Sequence, residues 1–307
     1  MQVQNDAVLL HHVPQDHAIV CMMASKASPT LLRRQLGAEL RRLRDRTHRT
    51  VADVAAELGW SQSKLSRIET ATIGISGADL ERLLTGYGVA DKERTRLLAL
   101  RVQARQRAWW EAYGDALPDA YETYIGFESE ATAISTYEAQ VVPGLLQTDE
   151  YANAVTQADG VYEDPDVLGQ RVAVRMARQS VLTREPPPQL AAILDEAVLR
   201  RPIGGRNVLH RQLLRLIEAG QRPTVVIQVL PFETGAHRAL AGSFILLEFA
   251  GDNDQPLVYS EGMTGGVFRS RPEEVRSYQI SFEALREAAL SPAQSTAFIQ
   301  ALATDNH

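Results

Sequence analysis

The stretch VADVAAELGWSQSKLSRIET, residues 51–70, constrains this chain more tightly than any other. Val51, Val54, Ala55 and Leu58 fall on one side of a short helix that Thr50 is placed to cap, and Gly59 ends it. A glycine there lets the backbone take a left-handed turn that a Cβ resists. Ser61 is a second N-cap; after it SQSKLSRIE turns Leu65 and Ile68 inward beside Trp60 and leaves Gln62, Ser63, Lys64 and Arg67 outside. Ala55 is the small residue where the two helices meet. Such a pair allows the first helix to brace against a duplex while the second enters the major groove. Gln62, Ser63 and Arg67 then reach base edges, where glutamine matches adenine and arginine matches guanine; Lys64 and the Ser61 hydroxyl suit phosphates. Ordinary helical hairpins also carry a glycine turn and a polar outer row, so spacing alone leaves DNA binding open.

Charge is unevenly divided. Residues 1–110 hold a net charge of +6 and residues 111–307 a net −12, within an overall −6. A basic front and an acidic remainder fit a chain in which one domain alone meets a polyanion. The 307 residues suffice for about two domains. The single cysteine, Cys21, excludes an internal disulfide framework, no apolar run is long enough to span a bilayer, and the N-terminus lacks the pattern of a secretory signal. A cytoplasmic, nucleoid-associated protein without a membrane partner is expected.

The segment PTLLRRQLGAELRRLRDR, residues 29–46, repeats Leu32, Leu36, Leu40 and Leu43 at helical spacing with arginines on its other faces. Helical patterns follow the opening stretch at GADLERLLTGYG and at DKERTRLLALRVQARQRAWW. The organisation read from this is a flexible arm at 1–28, an all-α helix-turn-helix domain of about five helices at 29–110, a connection at 111–126, and a mixed α/β domain at 127–307. In the last, β-prone runs such as TAISTY, LAAIL, TVVIQVLPF and SFILLEF alternate with helical stretches.

The run AAELGWSQSKLSRIE resembles the XRE, or phage-repressor-like, helix-turn-helix family. Further runs, VPGLLQTDEYANAV, LDEAVLRRPIGG, VIQVLPFETGAH, FILLEF and SPAQSTAFI, resemble the actinobacterial WhiJ-like group of these regulators, with a C-terminal sensor or effector domain. The resemblance implies a transcriptional regulator, often accompanied by a small regulatory partner protein. It implies an ion pair between Arg44 and Glu69, base-reading roles for Gln62, Ser63 and Arg67, and phosphate contacts for Thr50, Ser61 and Lys64, with Arg49 among the supporting charges. The chain departs from the pattern at Val51, where many members carry a phosphate-gripping glutamine, and in TATIGISG, which lacks basic residues. Arg33, Arg34, Arg41, Arg42, Arg46 and Arg49 are the candidates to supply the missing charge.

Catalytic signatures are absent from the sequence: no HExxH, GxSxG, phosphate loop or GxGxxG occurs, and the histidines have no metal-ligand spacing. Glu128 and Glu130 read as solvated surface acids, and Asp195 and Glu196 as strand neighbours on opposite faces. No enzyme, cofactor or metal is expected. In the loop VLPFETGAHRALAGSF, Phe232, Glu233, His237 and Arg238 are the candidates for contact with a small-molecule effector or a partner, against the plainer reading of a hairpin connection. The Trp109–Trp110 pair reads as a domain junction. Because one helix-turn-helix unit makes few base contacts, a homodimer on double-stranded operator DNA is expected. The alternative is an antitoxin-like or scaffold module in which DNA binding is secondary.

Overall fold

Apolar residues at helical spacing build the N-terminal unit of this computed structural model, which describes residues 29–104, 117–158, 164–250, 255–263 and 265–305. Among the described residues five helices form it: α1 (Pro29–Arg46), α2 (Val51–Leu58), α3 (Gln62–Glu69), α4 (Gly77–Gly86) and α5 (Asp91–Gln103). Leu36, Leu40 and Leu43 of α1 pack with Val54, Leu65, Ile68, Leu80 and Leu97 into one core, and Leu32 lies at its margin. The two helices of the opening stretch are too short to persist alone, since isolated helices under about 12 residues are marginal in water. Tertiary packing holds them.

One contact sets how closely α1 and α3 approach. A Cβ built on Gly37 would sit 2.8 Å from the Ile68 carbonyl oxygen and 2.7 Å from that of Glu69, so only glycine lets the end of α3 rest on α1. Ala55 is the small residue legible from the turn pattern, and it is buried as well.

The chain continues as α6 (Asp119–Glu130), β1 (Ala133–Glu138), α7 (Asp149–Ala158), α8 (Pro165–Ala177), β2 (Gln189–Asp195), α9 (Glu196–Arg200), α10 (Arg206–Ala219) and β3 (Val225–Leu230). It ends with β4 (Phe244–Glu248), β5 (Leu257–Gly262), β6 (Gly265–Arg269), α11 (Pro272–Ala288) and α12 (Pro292–Asp305). The strands make one sheet in the order β3-β2-β1-β4-β5-β6. β1, β2 and β3 run parallel, linked by helical crossovers, whereas β4, β5 and β6 are antiparallel. The all-α front and mixed α/β remainder match the expected fold class. Helices cover both faces: Ile134, Leu190 and Ile227 share a cluster with residues of α10 and α12, and Ile193, Leu246 and Val258 share one with residues of α11. Burial on both sides explains why β2 reads as an apolar run from Leu190 to Leu194 and β3 as one interrupted only by Gln228.

α6 crosses the boundary expected at residue 127. Its residues Tyr124, Ile125 and Phe127 are all buried, and residues 119–126, read as part of the connection, belong to this helix. The same helix touches the front unit. Thr123 Oγ1 donates to the Thr72 carbonyl at 3.2 Å, Ala71 (φ 60°) is buried in the sheet unit's apolar cluster, and the Arg34 guanidinium lies 4.5 Å from the Phe249 ring centre. The N-terminal arm at 1–28 and the Trp109–Trp110 pair lie outside the described residues.

Replacing Gly37 by alanine gains about 1 kcal/mol of helix propensity but forces α1 and α3 apart against backbone that cannot yield, and the second effect dominates. Urea unfolding is expected to show a net loss of about 1–3 kcal/mol for Gly37→Ala. Gly74→Ala, where a Cβ would meet nothing within 4 Å, should stay within about 0.5 kcal/mol of the parent. Equal effects at the two sites would contradict the close-contact role of Gly37.

Candidate nucleic-acid interface

Local hydrogen bonds define both helices of the turn. Thr50 caps α2 by accepting from the Asp53 N–H at 3.2 Å, while the Asp53 carboxylate accepts from the Thr50 N–H at 2.9 Å, closing a capping box. Gly59 takes φ 69° and ψ 32°, the left-handed conformation that ends α2, and the Trp60 N–H reaches back to the Ala55 carbonyl at 2.8 Å. Ser61 Oγ accepts from the Lys64 N–H at 3.1 Å and opens α3.

The orientation of α3 follows from what is buried beneath it. Leu65 and Ile68 lie in the core, and Glu69 accepts from Arg44 through both carboxylate oxygens, Nε to Oε1 at 2.7 Å and Nη2 to Oε2 at 3.0 Å. Arg44 also donates to the Arg49 carbonyl at 2.9 Å, so each end of this buried pair is satisfied. The hydrogen bond to Glu69 holds the arginine's pKa above its ordinary value, against the opposing pull of burial. Removing one partner of such a pair costs about 3–5 kcal/mol, because the other is left buried and uncompensated.

With that underside fixed, Gln62, Ser63, Ser66 and Arg67 are exposed in one row. Arg67 makes one long intrahelical hydrogen bond, from Nε to the Ser63 carbonyl at 3.4 Å. The phosphate candidates are engaged within the protein. The Thr50 and Ser61 side chains serve as caps. Arg49 pairs with Glu57 and donates to the Gly86 carbonyl at 3.2 Å. Lys64 Nζ lies 2.9 Å from Asp79 Oδ2 and 4.1 Å from the centre of the Trp60 ring. Trp60 is half-buried, its ring forming a shelf for Lys64 while packing at the edge of the core.

Several arginines that read as free cations have structural tasks. Arg42 bridges Glu39 and Glu93, tying α1 to α5, and Arg34 is turned toward the sheet unit. Arg82 on α4 was not legible as part of the surface: it donates to the Leu58 carbonyl at 2.8 Å and, like Lys64, lies against the Trp60 ring. Its position 24 residues beyond Leu58 leaves no local signal for that contact.

In the sheet unit, the four loop candidates separate. His237 Nε2 lies 3.4 Å from Tyr137 Oη, which in turn donates to Asp195 Oδ2 at 3.4 Å. Phe232, Glu233 and Arg238 are exposed, and Arg238 borders a shallow groove with Arg276 and Ile280 of α11. The acidic pairs differ from expectation. Glu128 is buried rather than solvated, accepting from Arg178 Nη2 at 3.0 Å and from the Tyr124 hydroxyl at 2.5 Å; it lies on α6, and its arginine comes from a segment 50 residues later. Asp195 ends β2 and caps α9 through the Ala197 N–H at 2.9 Å. Glu196 is already helical and buried, accepting from the Phe232 N–H at 2.9 Å. Among the described residues, no group of three or more His, Cys, Asp or Glu is arranged to hold a metal, and no helix is long and apolar enough to cross a membrane.

The front unit is thus a helix-turn-helix domain, and residues 35–97 match the family model described as a helix-turn-helix domain. Residues 121–301, more than half of the chain, match the model described as a domain of unknown function, DUF5753, and the chain belongs to that family. No curated protein and no solved structure matches the chain.

Glu138, at the end of β1, offers a pH test of the sheet unit. Burial pushes its carboxyl up to about 7, opposed by the hydrogen bond from Thr136 Oγ1 at 3.1 Å. The unfolded carboxyl titrates near 4.3, so stability from the protonated folded form is full below that value and declines as pH rises through about 7. Glu138→Gln should therefore unfold at a higher temperature than the parent at pH 8, with the difference shrinking toward pH 4.5. A constant difference across that range would contradict the assignment.

Proposed function

We propose that this chain is a sequence-specific DNA-binding transcriptional regulator that reads its operator with the outer row of α3. The observation that carries the reading is that Gln62, Ser63 and Arg67 are exposed on a helix whose underside is fixed by Leu65, Ile68 and the Arg44–Glu69 pair. A rigidly held polar row of this chemistry fits base edges in a major groove. Thr50, Ser61, Lys64 and Arg49 flank it as phosphate contacts, the two cations exchanging their carboxylate partners for phosphates on binding. This is the behaviour of the XRE-type, WhiJ-like regulators that the sequence resembles.

The regulator acts in the cytoplasm as a homodimer, and the sheet unit adjusts operator affinity on binding a small molecule or a small protein. Support for the last step comes from the contact between units. Ala71 and Thr72, which follow the C-cap residue Thr70 of α3, are packed and hydrogen-bonded against α6 and its cluster. A change in the sheet unit that favours one placement of α6 shifts α3 with it, and in a dimer that alters the distance between the two recognition helices.

Selection of binding sites from a random duplex library, followed by affinity measurements on the selected and scrambled duplexes, tests the reading. Arg67→Ala should flatten the preference at one base position by about 1–3 kcal/mol. Lys64→Ala should leave the order of preferred bases unchanged while weakening binding to the selected duplex and lowering its slope of log K against log salt by about one. Unchanged preference and slope in both variants would refute these roles.

Light scattering and native mass spectrometry of the same sample address assembly and signal. The expected species is a dimer that carries a retained metabolite or a stoichiometric small protein. A bare monomer at micromolar concentration, with and without DNA, contradicts this part of the proposal.

A further inference from the structure

Asp79 occupies an unusual place for a carboxylate beside a nucleic-acid surface. α4 begins at Gly77 behind the N-cap Ser76, and its first turn sets Asp79 against the side of α3. There Lys64 Nζ lies 2.9 Å from Oδ2 and Arg82 Nη1 lies 3.8 Å from Oδ1. Both cations also flank the Trp60 ring, Lys64 Nζ at 4.1 Å and Arg82 Cζ at 5.8 Å from its centre. One anion is thus shared by two cations next to the exposed row of α3.

Resting on the DNA-binding reading above, we infer that Asp79 is a specificity-determining residue that stands in for a DNA phosphate in the free protein and restrains binding to non-operator DNA. A phosphate approaching Lys64 must displace Asp79 and then tolerate its charge nearby. On an arbitrary duplex this exchanges one ion pair for another and gains little, so Lys64 contributes weakly. On the operator, base contacts from Gln62, Ser63 and Arg67 fix the register and make the exchange favourable. The side chains of Lys64 and Asp79 are 37 % and 22 % exposed, so solvent reaches the pair and the exchange needs no unfolding. Suppressing the sequence-independent electrostatic term raises the ratio of specific to non-specific affinity, which governs discrimination in a genome.

Asp79 also lies in the first turn of α4, where a carboxylate favours the helix dipole. A purely structural role would make Asp79→Asn less stable without changing how the protein responds to salt.

The test uses the full chain and a 30-base-pair duplex of random sequence, followed by fluorescence anisotropy over a series of salt concentrations. Asp79→Asn should tighten binding on the order of fivefold at low salt and steepen the salt slope by about 0.9, the increment for one added phosphate contact. The gain should vanish when Lys64→Ala is combined with Asp79→Asn. Glu81→Gln, which removes the same charge from an exposed position on α4, should leave the slope unchanged. A parental slope in Asp79→Asn, or a gain that persists without Lys64, overturns the inference while leaving the DNA-binding reading intact. Failure of the parent chain to bind any duplex at any salt overturns both.

Discussion

The buried ion pair between Arg44 and Glu69 is the constraint on which the front unit depends. α3 has eight residues, and its own hydrogen bonds cannot hold it in a defined orientation. Leu65 and Ile68 supply apolar attachment, which is strong but not directional. The two parallel hydrogen bonds from the Arg44 guanidinium to Glu69 add direction at the last residue of the helix. Gly37 removes the steric barrier that would otherwise keep that end away from α1. Together they determine which side of α3 faces outward.

From there the constraint passes to the sheet unit by direct contact. The chain leaves α3 through Ala71, in the left-handed region, and Thr72, whose carbonyl receives the Thr123 hydroxyl of α6. α6 is held in turn by Glu128, buried with Arg178 and the Tyr124 hydroxyl, and Tyr124 stacks on Tyr259 at 4.4 Å between ring centres. Burial pushes the Glu128 carboxyl and the Tyr124 hydroxyl up, while Arg178 opposes both shifts. A buried charge that is paired and hydrogen-bonded resists rearrangement, because loosening one member strands the others.

The features that sequence made legible are those governed by neighbours a few residues apart. Thr50, Gly59 and Ser61 delimit α2 and α3 because capping and the left-handed turn act within three or four positions. The leucines of α1 and the apolar runs of β2 and β3 follow from periodicity in the same way. Distance in sequence explains what was missed. Glu128 reads as a surface acid until Arg178 is placed beside it, 50 residues later. The role of Gly37 comes from the carbonyls of Ile68 and Glu69 above it, about 30 residues later, and has no local signal. Lys64 and Arg42 read as free positive charge, yet each has a carboxylate opposite it supplied by another helix, and Arg49, in the turn before α2, meets Glu57 of that helix. In the sheet unit, His237 meets Tyr137 across 100 residues, a contact that no local pattern announces.

The central claim is that the outer row of α3 lies in the major groove, and methylation interference on a selected operator duplex tests it most directly. Methyl groups placed on guanine N7 project into the major groove, and those on adenine N3 into the minor groove. The account predicts loss of binding when guanine N7 is methylated at two positions about one helical turn apart, and little effect from adenine N3 methylation between them. Interference confined to adenine N3, with guanine N7 methylation tolerated throughout, would contradict it.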